Sequence, residues 1–451
     1  MPRMITPRLG AALATATLLV TFPQYAAAAA PPVTPECAWG VKVSADTRNV
    51  FYPDSAATYW VLPFTVQEGL RITLAGQYPD SRYASVQVYK EGGGLFEANG
   101  VASSLTDHRI QPDAGSVNPW QQQASPGGHY TLTVTADAAP GQVNTLPLAP
   151  SGTPEGAKGN IVYRVYLPAD GDFSQVRLPA VTFERDGVTQ PVPTCTQLTT
   201  SAAATNAGGV ASATTPPAQE AGSATSAATP PAQGTGASAR GIGASARGTG
   251  AAAQDAPAFA RADLTDRPTG GFPNGDSAYL YADVTPPLGR QVVVIRGKAP
   301  RNAQGSHPAP WPAPGKDVRY WSMCTNLTLP PYQVVVNPLP DGTSDYGCRA
   351  DDHTGLDSDG RYSYVVGGES QRQAIEQVPG VTFLPFSAAR PAATHRIILR
   401  NMVVDAGFAE AVQNVPEDGD PASAAAVMGE YYPVTKVCSL AALTSEGPAD
   451  C

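Results

Sequence analysis

Leu70, Ile72 and Leu74 alternate with Arg71, Thr73 and Ala75; Arg82, Ala84, Val86 and Val88 alternate with Tyr83, Ser85, Gln87 and Tyr89. A period of two places each set on one face of an extended chain, so both runs predict β-strands. Ile161–Leu167 and His395–Asn401 are further strand-like runs, rich in β-branched and aromatic residues. Turn signals punctuate them at Tyr78-Pro-Asp80, Gly92-Gly93-Gly94, Asp341-Gly342 and Asp359-Gly360. Helical signals are few. Ser370 with Gln373 predicts a capping box opening a short helix to Gln377, and Asp405 predicts a cap for a second, with Phe408 and Val412 on one face. The pattern predicts an all-β chain of sandwich or jelly-roll units with few short helices.

Two stretches fall outside this pattern. Arg3 and Arg8 precede an uncharged run, Leu9–Phe22, followed by the alanines of 26–30. That is the layout of a secretory signal peptide over residues 1–30, and the run is short of the ~20 residues that span a bilayer. From 200 to 262 the chain is dominated by Ala, Gly, Ser, Thr and Pro, with 23 alanines. This predicts a disordered linker with a reach of about 45 Å. It leaves two β domains, 31–199 and 263–451.

The two domains carry the same marks in the same order. Asp54-Ser-Ala answers Asp276-Ser-Ala, Leu70–Gly76 answers Arg290–Gly297, and Asp80-Ser-Arg-Tyr-Ala-Ser answers Asp317-Val-Arg-Tyr-Trp-Ser. Asn118-Pro119, Gly128–Val134, Leu146-Pro147 and Ile161–Leu167 answer Asn337-Pro338, Gly360–Val366, Leu384-Pro385 and His395–Asn401. Their common order predicts that domain two is a duplicate of domain one.

Composition narrows the function classes. Charged residues make up 15% of the chain and the net charge is −9, which argues against nucleic-acid binding. Six cysteines without a Cys-x-x-Cys pair predict three disulfides in an exported protein. Cys37 and Cys195 bracket domain one and would tie its start to its end. The other four allow three connectivities, of which the sequence-local Cys324–Cys348 and Cys438–Cys451 are favoured. The expected location is outside the cytoplasm, periplasmic or extracellular, with no transmembrane anchor in the mature chain.

Pro79-Asp-Ser-Arg-Tyr83, Arg164-Val-Tyr-Leu-Pro168, Arg319-Tyr-Trp-Ser322 and Leu399-Arg-Asn-Met402 resemble a family of uncharacterised secreted bacterial proteins. They are also similar to the C-terminal β-sandwich of larger periplasmic proteins of unknown function. The resemblance covers both domains but not the linker, implies a jelly-roll-like fold, and brings no activity or catalytic residues.

No Gly-x-Ser-x-Gly, His-Glu-x-x-His or Gly-rich phosphate loop occurs, and no cofactor is expected. Candidate ligand residues are Trp120, Gln121 and Gln122 in an aromatic, amide-rich loop, Trp311 in a proline-rich loop, and the repeated Arg82 and Arg319. For Trp120 the alternative is a lid on the core. For Arg82 and Arg319 it is a scaffold pair with Asp80 and Asp317. Asp351, Asp352, Asp357 and Asp359 form an oxygen-rich loop, a weak calcium candidate without EF-hand spacing. The favoured function is a secreted non-catalytic binding or cell-envelope module, glycan-binding in its most specific form, with two tethered domains engaging cell-wall or extracellular polysaccharide. The alternative is a secreted carbohydrate-active hydrolase with one catalytic and one binding domain.

Overall fold

The computed structural model describes residues 30–196, 256–261, 272–287 and 289–451. The expected signal peptide, all but residue 30, and most of the expected linker lie outside the described residues. The first half contains β1 (Val41–Val43), β2 (Ala57–Thr65), β3 (Arg71–Gln77), β4 (Ser81–Tyr89), β5 (Glu97–Ala98), β6 (Val101–Ala102) and β7 (Ser104–Thr106). It continues with β8 (His129–Thr135), β9 (Thr145–Pro147), β10 (Lys158–Pro168), β11 (Ala180–Arg185) and β12 (Val188–Val192). The second half contains β13 (Ser277–Val284), β14 (Gln291–Lys298), β15 (Val318–Leu327), β16 (Val336–Pro338), β17 (Ser344–Tyr346) and β18 (Cys348–Ala350). After these come β19 (Arg361–Gly367), helix α1 (Arg372–Glu376), β20 (Thr382–Pro385), β21 (His395–Val404), α2 (Pro421–Met428), β22 (Val434–Ser439) and α3 (Leu440–Glu446).

Each half is a sandwich. The first packs sheet β1-β2-β10-β4-β7 on sheet β12-β11-β3-β8-β9; the second packs β13-β21-β15-β18 on β20-β19-β14-β22. The sandwich cores are continuous apolar clusters, Trp60, Leu62, Ile72, Val86 and Phe183 among the first, Leu280, Val293, Trp321, Tyr364 and Ile397 among the second. Strand order repeats: β10, β4 and β7 correspond to β21, β15 and β18, and β3, β8 and β9 to β14, β19 and β20. Both β8–β9 and β19–β20 are parallel in sheets that are otherwise antiparallel.

Register fixes the correspondence residue by residue. Arg164 lies opposite Tyr59 and Ser85, and Arg400 opposite Tyr279 and Ser322. Two of the sequence marks are therefore offset by two residues: Asp54 corresponds to Asn274, not Asp276, and Ile161 to Ile397, not His395. The Asn-Pro pairs do not correspond at all, since Asn118 follows β7 whereas Asn337 precedes β18. The glycines at the end of β3 and β14 do correspond. A Cβ on Gly76 would lie 2.5 Å from the Tyr130 ring, and one on Gly297 would lie 2.4 Å from the Tyr362 hydroxyl. Only glycine leaves room for the facing tyrosine in each half.

All three disulfides pair as favoured: Cys37–Cys195, Cys324–Cys348 and Cys438–Cys451. None crosses between halves. Among the described residues, no helix is long and apolar enough to cross a membrane.

Other expectations are corrected. The capping glutamine of the α1 region is Gln371, whose Oε1 accepts from Gly368 N–H at 2.9 Å, and α1 begins only at Arg372. Asp405 caps a turn, accepting from Gly407 N–H at 2.9 Å, because the chain there stays irregular up to a single 3₁₀ turn at Val412–Asn414. The linker also ends earlier than its composition suggests. Phe259 is fully buried in the second core, and Ala260 bridges Tyr281 at the edge of β13, where β1 sits in the first half. Low hydrophobic content hid this anchor, since one aromatic side chain suffices to seat a short segment. Phe259→Ala is expected to cost about 3–5 kcal/mol in urea unfolding, the range for emptying a buried aromatic site.

Candidate functional site

In β4 and β15 every residue is buried, in β21 all but the last, and in β10 all but the exposed Lys158 at its start and the half-buried Leu167 near its end. One face of these strands enters a sandwich core. The other face meets its counterpart in the opposite half, so the two inner sheets form a seam. At its apolar centre lie Ala57, Tyr83, Tyr166, Trp311, Tyr320 and Met402. Tyr166 packs edge-on against both Tyr83 and Tyr320, with ring centroids 5.4 Å apart in each pair.

Around these rings the polar contacts are exchanged reciprocally. Arg82 Nη1 reaches Asp351 Oδ1 at 2.5 Å, and Arg319 Nη1 reaches Asp107 Oδ1 at 2.5 Å. Arg82 corresponds to Arg319, and Asp107 to Asp351. Each carboxylate also accepts a backbone N–H inside its own half, Asp107 from Ala84 at 2.7 Å and Asp351 from Trp321 at 3.2 Å. Arg82 and Arg319 therefore do not pair with Asp80 and Asp317, as the local motif suggested. Asp80 meets His307 at 2.8 Å, and Asp317 is held by Arg301 at 2.5 Å.

A second pair of contacts is similar in place but different in chemistry. Asp54, fully buried, takes Arg400 of the other half and accepts from the Tyr320 and Ser322 hydroxyls, each at 2.8 Å. At the corresponding position Asn274 accepts from Tyr83 OH at 3.0 Å and from Gln87 Nε2 at 2.7 Å. Arg164, the counterpart of Arg400, turns to Gln87, Tyr89 and the Phe272 carbonyl instead. A charged contact on one side is thus an amide network on the other. Burial, reinforced by a neighbouring carboxylate, pushes the Tyr83 and Tyr320 hydroxyls well above the ordinary tyrosine range, so both serve as donors. Burial also raises the Asp351 carboxyl, to about 7, against the pull of Arg82.

The sequence candidates fall largely on this seam. Trp120 is fully buried; its indole N–H donates to the Arg82 carbonyl at 3.1 Å, and its own carbonyl accepts from Trp311 N–H at 2.8 Å. Trp311 is almost buried and stacks on Arg319, with the guanidinium carbon 5.5 Å from the ring centroid. The Trp120 ring packs in the first core against Tyr78, as a lid, and only its backbone carbonyl crosses to the second half; Arg82, Arg319 and Trp311 are spent on joining the halves. Gln121 and Gln122 are exposed, and Gln121 Nε2 donates to the His108 carbonyl at 3.0 Å. The acidic loop is likewise dispersed. Asp351 and Asp352 are taken by Arg82, and Asp357 caps its turn through Asp359 and Arg361 N–H groups. Among the described residues, the only grouping with metal-ligand proximity is Asp54 with Cys324 and Cys348, whose sulfurs are already in a disulfide.

Sequence reasoning missed Asp107, Arg164 and Arg400 as partners. A usable signal existed: an arginine centred in an otherwise apolar strand is buried only when something pairs it.

A surface cleft lies in the second half. The β16–β17 hairpin, which stands where the first half has β5–β6, and α1, which has no counterpart between β8 and β9, form a cleft lined by Pro338, Leu339, Pro340, Glu369, Arg372 and Gln373, with Glu376 and Gln377 beyond. Arg372 is fixed by Asp345, by Glu369 at 2.7 Å and by Glu376 at 3.0 Å, over the Phe383 ring. The Arg372 guanidinium holds the Glu369 carboxyl below its usual range. Gln373 and Gln377 are exposed one helical turn apart.

No protein-family model and no curated protein matches the chain. Two solved structures are similar. An uncharacterised protein from Burkholderia cenocepacia shares 13% identity, with 90% of this chain and 83% of that one covered and a TM-score of 0.46. A structural-genomics target from Vibrio parahaemolyticus shares 13%, with 86% and 89% covered and a TM-score of 0.37.

Two outcomes follow from the buried charges. Asp54→Ala, which strands Arg400, is expected to cost about 3–5 kcal/mol in urea unfolding, and Asp54→Asn less, because an amide oxygen there still accepts from Arg400, Tyr320 and Ser322. His395 is buried, and its Nε2 accepts from Ser387 N–H at 2.9 Å. Burial pushes its imidazole down from 6.5 to about 4. The folded state thus holds fewer protons than the unfolded state between these values. The stability it contributes is complete above pH ~6.5 and lost as pH falls towards 4, up to about 3 kcal/mol. The raised Asp351 carboxyl gives an opposite slope over much of the same window, so the His395 contribution is read as the difference between urea titrations of wild type and His395→Gln, in which stability should fall less steeply with acid.

Proposed function

We propose that this protein is an exported, non-catalytic binding or cell-envelope module, and that its ligand is a glycan held in the cleft beside α1. The observation that carries the reading is the lining of that cleft. Its exposed Gln373 and Gln377 amides both donate and accept, and Glu369 and Glu376 accept. Pro338, Leu339 and Pro340 supply an apolar wall. Sugars present the same mixture of hydroxyls and C–H faces. The three disulfides favour export, as does the signal-like N-terminus. The resemblance to secreted bacterial β proteins with jelly-roll-like domains points in the same direction. The two halves act as one body in this reading, because their inner sheets are joined by the seam.

The test is retention of the purified protein on insoluble cell-wall and polysaccharide fractions, with the supernatant assayed for released sugars. Retention without release is expected. The double change Gln373→Ala with Gln377→Ala should weaken it by about tenfold, the worth of one or two hydrogen bonds. Sugar release would replace this reading by a hydrolase, and undiminished retention would move the site elsewhere.

A further inference from the structure

One of the reciprocal contacts of the seam has a histidine, His108, where its counterpart has a carboxylate, Asp352. Arg82 is fully committed: Nη1 to Asp351, Nη2 to Asp352, and Nε to the Gly305 carbonyl at 2.5 Å. Arg319 gives Nη1 to Asp107, but its Nη2 meets Nδ1 of His108 at 3.2 Å, where the other side has Asp352. Its Nε is buried with no hydrogen-bond partner among the described residues. Arg319 is therefore the less firmly held of the two arginines.

A guanidinium has only N–H donors, so the Arg319–His108 contact requires an unprotonated Nδ1. The groups facing that nitrogen are Arg319 from the second half and Asp107 from its own turn, whose Oδ1 is 3.5 Å away. Arg109 follows His108 in the same 3₁₀ turn, and Gln121 holds the His108 carbonyl. The imidazole is 19% exposed, so protons reach it from solvent.

We propose that His108 makes the seam an acid-released latch. At neutral pH its Nδ1 lone pair accepts from Arg319. On acidification the ring becomes a donor, loses that bond, places a positive charge beside Arg319 and competes with it for the single carboxylate of Asp107. Arg82 has two carboxylates, so when the raised Asp351 carboxyl takes up a proton Asp352 still holds it. Acid thus loosens the seam at the end where Trp311 stacks on Arg319 and donates to Trp120.

The corresponding residue of the other half suggests the decisive variant. His108→Asp gives Arg319 the carboxylate pair that Arg82 has, and His108→Gln keeps an acceptor that does not titrate. The measurement is native-state hydrogen exchange of the Trp311 amide in the whole protein at pH 7 and pH 5, corrected for intrinsic rates. Wild type should exchange about tenfold faster at pH 5 after correction, equivalent to losing one hydrogen bond across the seam. Both variants should show a smaller response, limited to what Asp351 and His395 contribute in all three proteins. His395 and Asp351 titrate in all three proteins, so their effects cancel in the comparison. An equal acid response in the variants, or none in wild type, overturns the proposal. His108→Gln carries the test alone should His108→Asp fail to fold.

Discussion

Arg82 and Arg319 each leave their own half to find a carboxylate in the other, and this exchange constrains the rest of the molecule. A guanidinium stripped of water without a partner costs several kcal/mol, so neither inner sheet is tolerable alone in its observed geometry. The Coulomb gain of a buried pair is largely offset by desolvation. What the exchange supplies is register. Sliding one inner sheet along the other would strand Arg82, Arg319 and Arg400 together, along with Asp54, Asp107 and Asp351. The Tyr83–Tyr166–Tyr320 cluster then packs at the only alignment the charges permit.

The halves share topology and differ in what covers them. Across the outer sheet of the first half, one register row reads Pro191, Thr182, Thr73, Thr133 and Thr145. The corresponding row of the second half reads Lys436, Val294, Val365 and Phe383. The valines and phenylalanine are roofed by Ile375 of α1 and Leu443 of α3, in a separate apolar cluster braced by Cys438–Cys451. The threonine row has hydroxyls to offer water and needs no roof. Of the two helices, α1 also forms one wall of the cleft, so the cover over the valine row supplies part of the proposed binding surface.

Similar asymmetry runs through the seam. Asp54 and Asn274 occupy corresponding turns, but only Asp54 faces an arginine, and Arg164 is satisfied within its own half and by Phe272. His108 and Asp352 are another such pair. One member of each pair fixes the halves by charge, while the other leaves room for change. The scaffold has been kept and its chemistry varied at isolated positions.

The strands were legible because their periodicity is local: Leu70, Ile72 and Leu74 mark one face whatever packs against it. The disulfides were legible too, since short loops close readily and Cys37 and Cys195 bracket one sandwich. Motif order exposed the repeated topology, but not its register, because Asp54-Ser-Ala and Asp276-Ser-Ala are equally good turns two residues apart. α2 and α3 carried signals that the strand pattern overshadowed: Asp420 before Pro421, and Ser439, each capping a helix N-terminus. Composition and local pattern thus determined the β class, the disulfide pairs and the division into two halves. The tertiary structure alone decided which face of β4 and β15 would lose water, and with it the roles of Arg82, Arg319, Trp120 and Trp311. An exposed polar strand face and one buried against a matching polar face have the same sequence, because burial there depends on partners more than two hundred residues away.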